Sequence, residues 1–274
     1  MMRKKKKIVP EGICKLTLRK GKFVESHILP KALTVLSRTG EKAMQVALKS
    51  PLKKRFQGWY DNQLCINEGE HILSQIDDKA IRILRKHLLI WSGWPANAIE
   101  LDASDIVIPA KNNEQNFGFR VIKDLNWKPI KLFLLSLLWR SAASEREEMD
   151  TVTIPKNLLE KLRVAILNYD SLSSREFPVR LYQIANKGFA HNRTPIIEED
   201  IIDFGIPVGI RNYTVCRLYL DGLVAYITLD PDENYLDNYQ ALLLGGSNET
   251  IVLLHTYENS RALDDLREVM EQYQ

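Results

Sequence analysis

The sequence predicts an α+β fold, because helical apolar spacing dominates its middle and β-rich runs lie near its end. Three helices are expected in the middle. The first starts at Glu70, follows three- and four-residue apolar spacing, and ends before Gly93. The second starts after Asn126 and is apolar on nearly every face over 130–143, which indicates burial from several sides. The third starts at Pro155.

Two antiparallel β-hairpins and a terminal helix are expected in the C-terminal part. The runs 214–220 and 223–229 flank an Asp-Gly pair, which is a strong hairpin signal. The runs 241–244 and 250–255 flank a Gly-Gly-Ser-Asn sequence and predict a second hairpin. Ser260 is expected to cap an amphipathic helix over 263–270.

The N-terminal part has weaker signals. Residues 13–24 consist of short runs broken by glycines, which suits a knuckle and a hairpin. A short helix is expected from Pro30 to Leu36, residues 40–60 are expected as loop with a helical turn, and 102–119 as loop with a strand. We therefore divide the chain into an N-terminal part, 1–95, and a part with helical core and C-terminal sheet, 96–274.

Basic residues are concentrated at one end of the chain. Residues 1–60 contain sixteen Lys or Arg and three acids, a net charge of +13, whereas the remainder has a net charge of −10. This asymmetry indicates a polyanion partner, most simply nucleic acid, while the alternative is a solvated lysine-rich tail. The candidate nucleic-acid-binding residues lie beyond that tail and are Lys20, Lys22, Lys31, Lys53, Lys54 and Arg55.

Several classes of protein are disfavoured by composition. No apolar run approaches the ~18 residues of a membrane-spanning helix, so no membrane partner is expected. The basic N-terminus is not followed by an apolar segment, which argues against a secretory signal. The three cysteines, Cys14, Cys65 and Cys216, lie far apart and are expected as free thiols in a reducing cytoplasm.

Three segments of the N-terminal part contain cysteine and histidine in a recognisable order. They are Cys14-Lys15-Leu16-Thr17, then Glu25-Ser26-His27-Ile28-Leu29-Pro30-Lys31, and then Tyr60-Asp61-Asn62-Gln63-Leu64-Cys65-Ile66-Asn67-Glu68. Together these segments resemble the HNH nuclease family. The family has a C-x-x-C knuckle, a hairpin that carries D-H-I-x-P, and an N-L-x-x-L-C-x-x-C-H stretch that enters a helix. The chain looks most like uncharacterised bacterial HNH-like proteins with an S-H-I-x-P-K hairpin motif. The resemblance implies a degenerate treble-clef ββα finger within 1–95.

The resemblance also implies a catalytic site. His27 matches the histidine that takes a proton from water beside a divalent cation, Mg²⁺ or Mn²⁺, and Asp61 or Asn62 matches the asparagine that orients it. The alternatives are a structural histidine at the hairpin end and ordinary turn residues.

The departures from the family pattern are as informative as the matches. Thr17 and Glu68 stand where the second cysteine of each knuckle is expected, so no structural zinc is expected between Cys14 and Cys65. Ser26 replaces an acidic residue that often ligates the catalytic cation. Gly69 stands where the last histidine is expected, and His71, two positions on, could take its catalytic role only if the helix start is shifted. A different metal site, from His27, Glu68 and His71, is an open alternative, since Glu68 and His71 are three residues apart on a helix.

Two functional hypotheses of different classes follow. The first is an HNH-like nucleic-acid-binding protein with metal-dependent nuclease activity, in a bacterial mobile-element or phage-defence setting that only the resemblance implies. The second is a remnant finger without activity that serves as a protein-interaction or regulatory subunit, for instance in a defence complex. The missing ligands favour the second hypothesis. An enzyme with its site in the C-terminal half has no motif behind it.

Overall fold

The computed structural model describes residues 10–34, 43–47, 50–55, 58–102, 104, 106–107, 118–189 and 191–272. This part of the chain is mixed α and β, with five α-helices and a six-stranded sheet, so the predicted α+β class is confirmed. The helices are α1 (Asn67–Lys86), α2 (Trp127–Ala143), α3 (Lys156–Leu167), α4 (Glu233–Tyr239) and α5 (Arg261–Gln272). None of these helices combines the length and the apolar character that a membrane span requires.

The strands of the described part range from two to eleven residues in length. They are β1 (Glu11–Ile13), β2 (Lys20–Lys22), β3 (Ser26–His27), β4 (Ala43–Ala47), β5 (Ser50–Arg55), β6 (Tyr60–Asp61), β7 (Gly118–Lys123), β8 (Val179–Ile184), β9 (His191–Arg193), β10 (Ile196–Asp203), β11 (Ile210–Leu220), β12 (Leu223–Thr228) and β13 (Glu249–His255). The large sheet has the order β10-β11-β12-β8-β13-β7, and its β8–β13 pair is parallel while the others are antiparallel.

The helices of the middle are confirmed, because each has a local apolar pattern that its environment satisfies. On α1 the residues Leu73, Ile76, Ala80 and Leu84 are buried and face the core. Helix α2 is buried continuously from Ile130 to Ser141, as its apolar character on every face indicated. It lies between α1 and α3, and the large sheet contributes to the same core.

The Asp221-Gly222 hairpin is also confirmed. It joins β11 to β12, and both turn residues adopt left-handed backbone conformations, with φ values of 53° and 89°. A type I′ turn requires such values at both central positions, and a glycine adopts them without steric cost. The β11 strand starts four residues earlier than the sequence indicated.

The prediction of a second C-terminal hairpin is wrong. The strand β13 forms, but its partners are β7 and β8, which lie far away in sequence. Its predicted partner segment instead contains a short 3-10 turn, Gln240–Leu242. The neighbouring Gly245 has a φ of 82°, and a Cβ atom there would lie 2.5 Å from the Trp127 ring. That glycine therefore permits close packing on α2 rather than a hairpin turn.

The predicted loop at 40–60 is wrong as well. The strands β4 and β5 form an antiparallel hairpin there, and β4 also pairs in parallel with β9. The short β4 sequence has little periodicity, and partners from the C-terminal half complete its environment, since Val46 packs against Leu266 and Val269. The expected helix from Pro30 is a 3-10 turn, Lys31–Leu33, and residues 35–40 lie outside the described part.

One apolar cluster crosses the predicted boundary at residue 95. It contains Leu16 and Leu73 from the N-terminal part together with Leu134 and Leu181 from the rest of the chain. The two-part division remains a prediction, and the shared cluster means that each part contributes side chains to the surroundings of the other.

Lys131 is a buried cation on α2. Its side chain is 0% exposed, and its ammonium group donates hydrogen bonds to the backbone carbonyl oxygens of Ser173 and Glu176, the latter at 2.7 Å. Burial disfavours the charged form and lowers the pKa of Lys131 to about 7, although nearby acids including Glu176 act in the opposite direction.

We therefore predict that Lys131 makes the fold more stable as pH rises. Between the folded pKa of about 7 and the ordinary lysine value of 10.5, the unfolded chain binds more protons than the folded chain. The free energy of unfolding should then rise with pH by up to about 1.4 kcal/mol per pH unit, relative to Lys131→Met. Urea denaturation at a series of pH values measures this difference.

The matched control is Lys128→Met, because Lys128 is exposed on the same helix. That variant should keep the wild-type pH dependence. Parallel pH profiles for wild type and Lys131→Met would contradict the prediction.

Candidate functional site around His27

A hairpin of two short strands with a long connection that contains β4 and β5 positions His27. In it, β3 pairs antiparallel with β6, so that Ser26 lies opposite Asp61 and His27 opposite Tyr60. Because neighbouring strand residues point to opposite faces, the Ser26 side chain is fully buried while the His27 side chain remains 33% exposed. The imidazole is thus reachable by water, although the backbone beneath it is part of the core.

A second hairpin lies against the start of α1. The strands β1 and β2 pair antiparallel, and the turn between them begins at Cys14. The backbone N–H of Lys15 donates to the carbonyl oxygen of Leu64 at 2.9 Å. The backbone N–H of Val24 donates to the carbonyl oxygen of Cys65 at 3.0 Å. The β1–β2 hairpin therefore lies against the start of α1. The treble-clef assignment itself remains a prediction.

Glu70 is the residue of α1 that faces His27. One of its carboxylate oxygens, Oε1, lies 4.0 Å from His27 Nδ1, and its side chain is 25% exposed. The other oxygen, Oε2, is buried and has no hydrogen-bond partner within the described part of the chain. An acceptor of this kind is uncommon in a folded protein, because an unpaired buried acceptor is costly.

Glu70 is not among the predicted site residues, although the sequence contains a signal for it. Glu70, Leu73 and Asp77 follow the i, i+3, i+7 spacing of one helix face, and Leu73 is in the core. Acidic residues on the apolar face of an amphipathic helix indicate partly buried carboxylates that need a partner. The family motif instead points to Glu68 and His71, which are close to Glu70 in sequence.

Arg140 on α2 fixes the other carboxylate of that face. Its buried guanidinium donates to both carboxylate oxygens of Asp77, with 3.0 Å to Oδ2. It also donates to the backbone carbonyl oxygen of His27 at 3.2 Å and to the Ser136 hydroxyl at 3.0 Å. Burial disfavours the charged guanidinium, yet the Asp77 carboxylate raises the pKa of Arg140 above its usual range. The arginine thus joins α1, α2 and the hairpin of His27.

The structure places Glu68 and His71 in other interactions. The exposed Glu68 carboxylate accepts hydrogen bonds from Arg19 at 2.8 and 3.1 Å. The exposed His71 ring has its Nε2 atom 3.1 Å from the Gln75 amide nitrogen. Among the described residues, which include His27, no group of three or more His, Cys, Asp or Glu side chains is arranged to hold a metal ion. The divalent cation stays a prediction.

The residues proposed to orient His27 have different surroundings. Asn62 is exposed in the turn after β6. Asp61 is buried, and its Oδ1 accepts the backbone N–H of Gln63 at 2.7 Å while its Oδ2 accepts the Ser144 hydroxyl at 2.7 Å. Asp61 therefore shapes the turn and ties it to the end of α2, which is the alternative turn role.

Most of the candidate nucleic-acid-binding residues whose side chains are described lie on the surface. Lys20 and Lys22 are exposed on the same face of β2, since they are two residues apart, and Lys31 is exposed just after His27. None of these three forms an ion pair with another described residue. Lys53 is half-buried on β5. The side chains of Lys54 and Arg55 are not among those that the structure describes.

Cys14 and Cys65 are buried together beside Gly69. A Cβ atom at Gly69 would lie 2.9 Å from Cys14 Sγ and 3.2 Å from Cys65 Sγ. The positions that would complete a zinc site hold Thr17 and Glu68, which supply no thiolate.

The comparisons with known proteins add no relatives. No protein-family model matches the chain, and no curated protein or solved structure matches it.

We predict that purified protein contains no stoichiometric zinc, because two thiols do not close a tetrahedral site. Elemental analysis after dialysis measures the zinc content, and Cys14→Ser serves as the control that lacks one thiol. A stoichiometric amount of zinc that disappears in this variant would overturn the prediction.

Proposed function

We propose that this protein is an HNH-like nucleic-acid-binding protein that hydrolyses phosphodiester bonds at His27. The observation that carries the proposal is the Glu70 carboxylate beside the His27 ring, with one buried oxygen that has no hydrogen-bond partner among the described residues. The resemblance of the His27 and Cys65 segments to bacterial HNH-like proteins supports the same activity and implies a mobile-element or phage-defence setting.

His27 is the proposed general base. Its Nδ1 atom faces the Glu70 carboxylate, which favours the tautomer that carries a proton on Nδ1 and leaves Nε2 to accept a proton from water. The side chain is one third exposed, so water and a substrate phosphate can reach it. Its backbone is held by Arg140, which limits the movement of the ring relative to α1.

The surroundings of Glu70 suit a hard divalent cation. Carboxylate oxygens are the ligands that Mg²⁺ and Mn²⁺ prefer, and Mg²⁺ usually takes only one or two of them, with water and substrate phosphate as its other ligands. Glu70 is the residue that would hold it, beside the His27 ring that acts as the base. When bound, the cation neutralises the charge that develops on the scissile phosphate.

The exposed lysines of β2 and the turn after His27 are the proposed phosphate contacts. Lys20, Lys22 and Lys31 lie in the part of the chain with excess positive charge. Contacts of this type position a polyanion without reading its sequence.

The second candidate function is a remnant finger that acts as a protein-interaction or regulatory subunit. The Arg19–Glu68 pair favours it, because a charged surface pair stands where the family has a zinc ligand. This candidate requires no cleavage under any condition and no dependence on His27.

We predict that nuclease activity is metal-dependent and requires both His27 and Glu70. Loss of a general base typically costs about 10²- to 10⁴-fold in rate, so His27→Ala should lose detectable cleavage. Glu70→Gln keeps the size of the side chain and should lose activity that excess Mn²⁺ partly restores. Cleavage of single- and double-stranded DNA and RNA with Mg²⁺, Mn²⁺ or Ni²⁺ measures these effects.

The matched control is His71→Ala, which removes an exposed histidine from the first turns of the same helix. It should cleave like the wild type. Equal cleavage by wild type and His27→Ala would show that the site is wrong, and no cleavage by wild type would favour the remnant finger.

We predict that binding to nucleic acid weakens steeply with salt, because phosphate contacts release counterions. Replacing Lys20, Lys22 and Lys31 by alanine should weaken binding equally for different sequences and reduce the slope of log K against log salt by roughly 0.7–0.9 per lost contact. Fluorescence anisotropy with labelled oligonucleotides at several salt concentrations measures both.

The control removes the same charge elsewhere. Alanine at the exposed lysines Lys86, Lys128 and Lys156 should leave the slope unchanged. An equal effect of both triple variants, or binding that ignores salt, would contradict a defined basic surface.

A further inference from the structure

Two free thiols are buried side by side against Gly69 at the start of α1. Cys14 and Cys65 are both 0% exposed, although they lie 51 positions apart in sequence. Gly69 allows the helix backbone to approach both sulfurs, since any Cβ there would lie 2.9 Å from one and 3.2 Å from the other.

The backbone holds the two cysteines at a spacing that suits a covalent link. Lys15, next to Cys14, donates its N–H to the carbonyl oxygen of Leu64, next to Cys65, at 2.9 Å. A backbone hydrogen bond between the neighbours of two cysteines holds their two chain segments side by side. Both sulfurs pack against the same Gly69 position, so rotation of the side chains can bring them to bonding distance.

The two sulfurs differ in reactivity. The Cys65 thiol and the backbone N–H of Thr17, which lies 3.4 Å from Cys14 Sγ, both stabilise a thiolate on Cys14. These hydrogen bonds lower the pKa of Cys14 to about 5 against the opposing effect of burial. The pKa of Cys65 is raised, because its proton is held by the Cys14 sulfur and the site is buried. The pair thus contains one nucleophile and one neighbouring thiol.

We propose that Cys14 and Cys65 form a redox-active dithiol that a peroxide converts to a disulfide. The Cys14 thiolate attacks one peroxide oxygen, the O–O bond breaks, and the leaving hydroxide takes a proton to become water. The Cys65 sulfur, on losing its proton, attacks the resulting sulfenic acid sulfur, and the S–O bond breaks to release a second water. The two thiols supply the two electrons that reduce the peroxide.

The disulfide would link the β1–β2 hairpin to the start of α1. The closed loop contains His27, and the cross-linked helix carries Glu70, so oxidation would restrain both sides of the candidate site. The turn that begins at Cys14 contains Leu18, which is 58% exposed, so the thiol lies four positions from a solvent-exposed residue. The dithiol does not depend on nuclease activity, because it rests on the position of the two sulfurs beside Gly69 alone.

The test treats the native full-length protein with hydrogen peroxide after dialysis against a chelator. The reaction is quenched, the remaining thiols are alkylated under denaturing conditions, and the intact mass and cysteine peptides are determined. We expect loss of the mass of two hydrogen atoms, a linked peptide that contains Cys14 and Cys65, and full reversal by dithiothreitol. The oxidised protein should melt at a higher temperature than the reduced protein, since a long loop is closed.

Three variants make the result specific. Cys216→Ser should form the disulfide like the wild type, because Cys216 lies on β11 in the core of the large sheet. Cys14→Ser should form none. Cys65→Ser should leave a sulfenic acid on Cys14 that dimedone labels. Free thiols at both positions after peroxide treatment of wild type and Cys216→Ser, or a disulfide that includes Cys216, would overturn the proposal even if the other variants fail to fold.

Discussion

The buried ion pair between Arg140 and Asp77 is the interaction on which the N-terminal half of the structure depends. Transfer of two charges from water into a core is costly, and it is tolerated only where hydrogen bonds satisfy the remaining donors. Arg140 meets this condition at its two terminal nitrogens, which donate to Asp77, the Ser136 hydroxyl and the His27 carbonyl oxygen, whereas its Nε atom has no hydrogen-bond partner among the described residues. Loss of one partner from such a pair typically costs about 3–5 kcal/mol. The position of the hairpin is thus coupled to the packing of α1 on α2.

The same face of α1 supplies both stability and the candidate chemistry. Asp77 has a fixed cation as its partner, whereas Glu70, two turns earlier, faces an imidazole at 4.0 Å and keeps one oxygen without a hydrogen bond in the described part. For Glu70 to be held as Asp77 is held, a second buried arginine would have to lie beside it. The difference between the two carboxylates is what distinguishes a structural position from a candidate site on this helix.

Local signals predicted the elements that local sequence determines. The three middle helices and the Asp221-Gly222 turn follow from side-chain spacing and backbone preference, and the structure has all of them. The partners of β13 and β4 were not predictable in this way, because they lie far along the chain. Glu70 was missed for a related reason: its role depends on where the hairpin lies relative to α1, and motif spacing favoured Glu68 and His71 instead.

The strand β4 is completed only by elements from the C-terminal half, since it pairs with β9 and packs against α5. This has a consequence for the synthesis of the protein. Val46 is buried by Leu266 and Val269, so more than 200 residues must leave the ribosome before its apolar surface is shielded. Contacts of such long sequence separation form late and slow folding, and an unpaired strand edge is prone to association with other chains. Until α5 emerges, the nascent chain exposes a strand that chaperones can recognise.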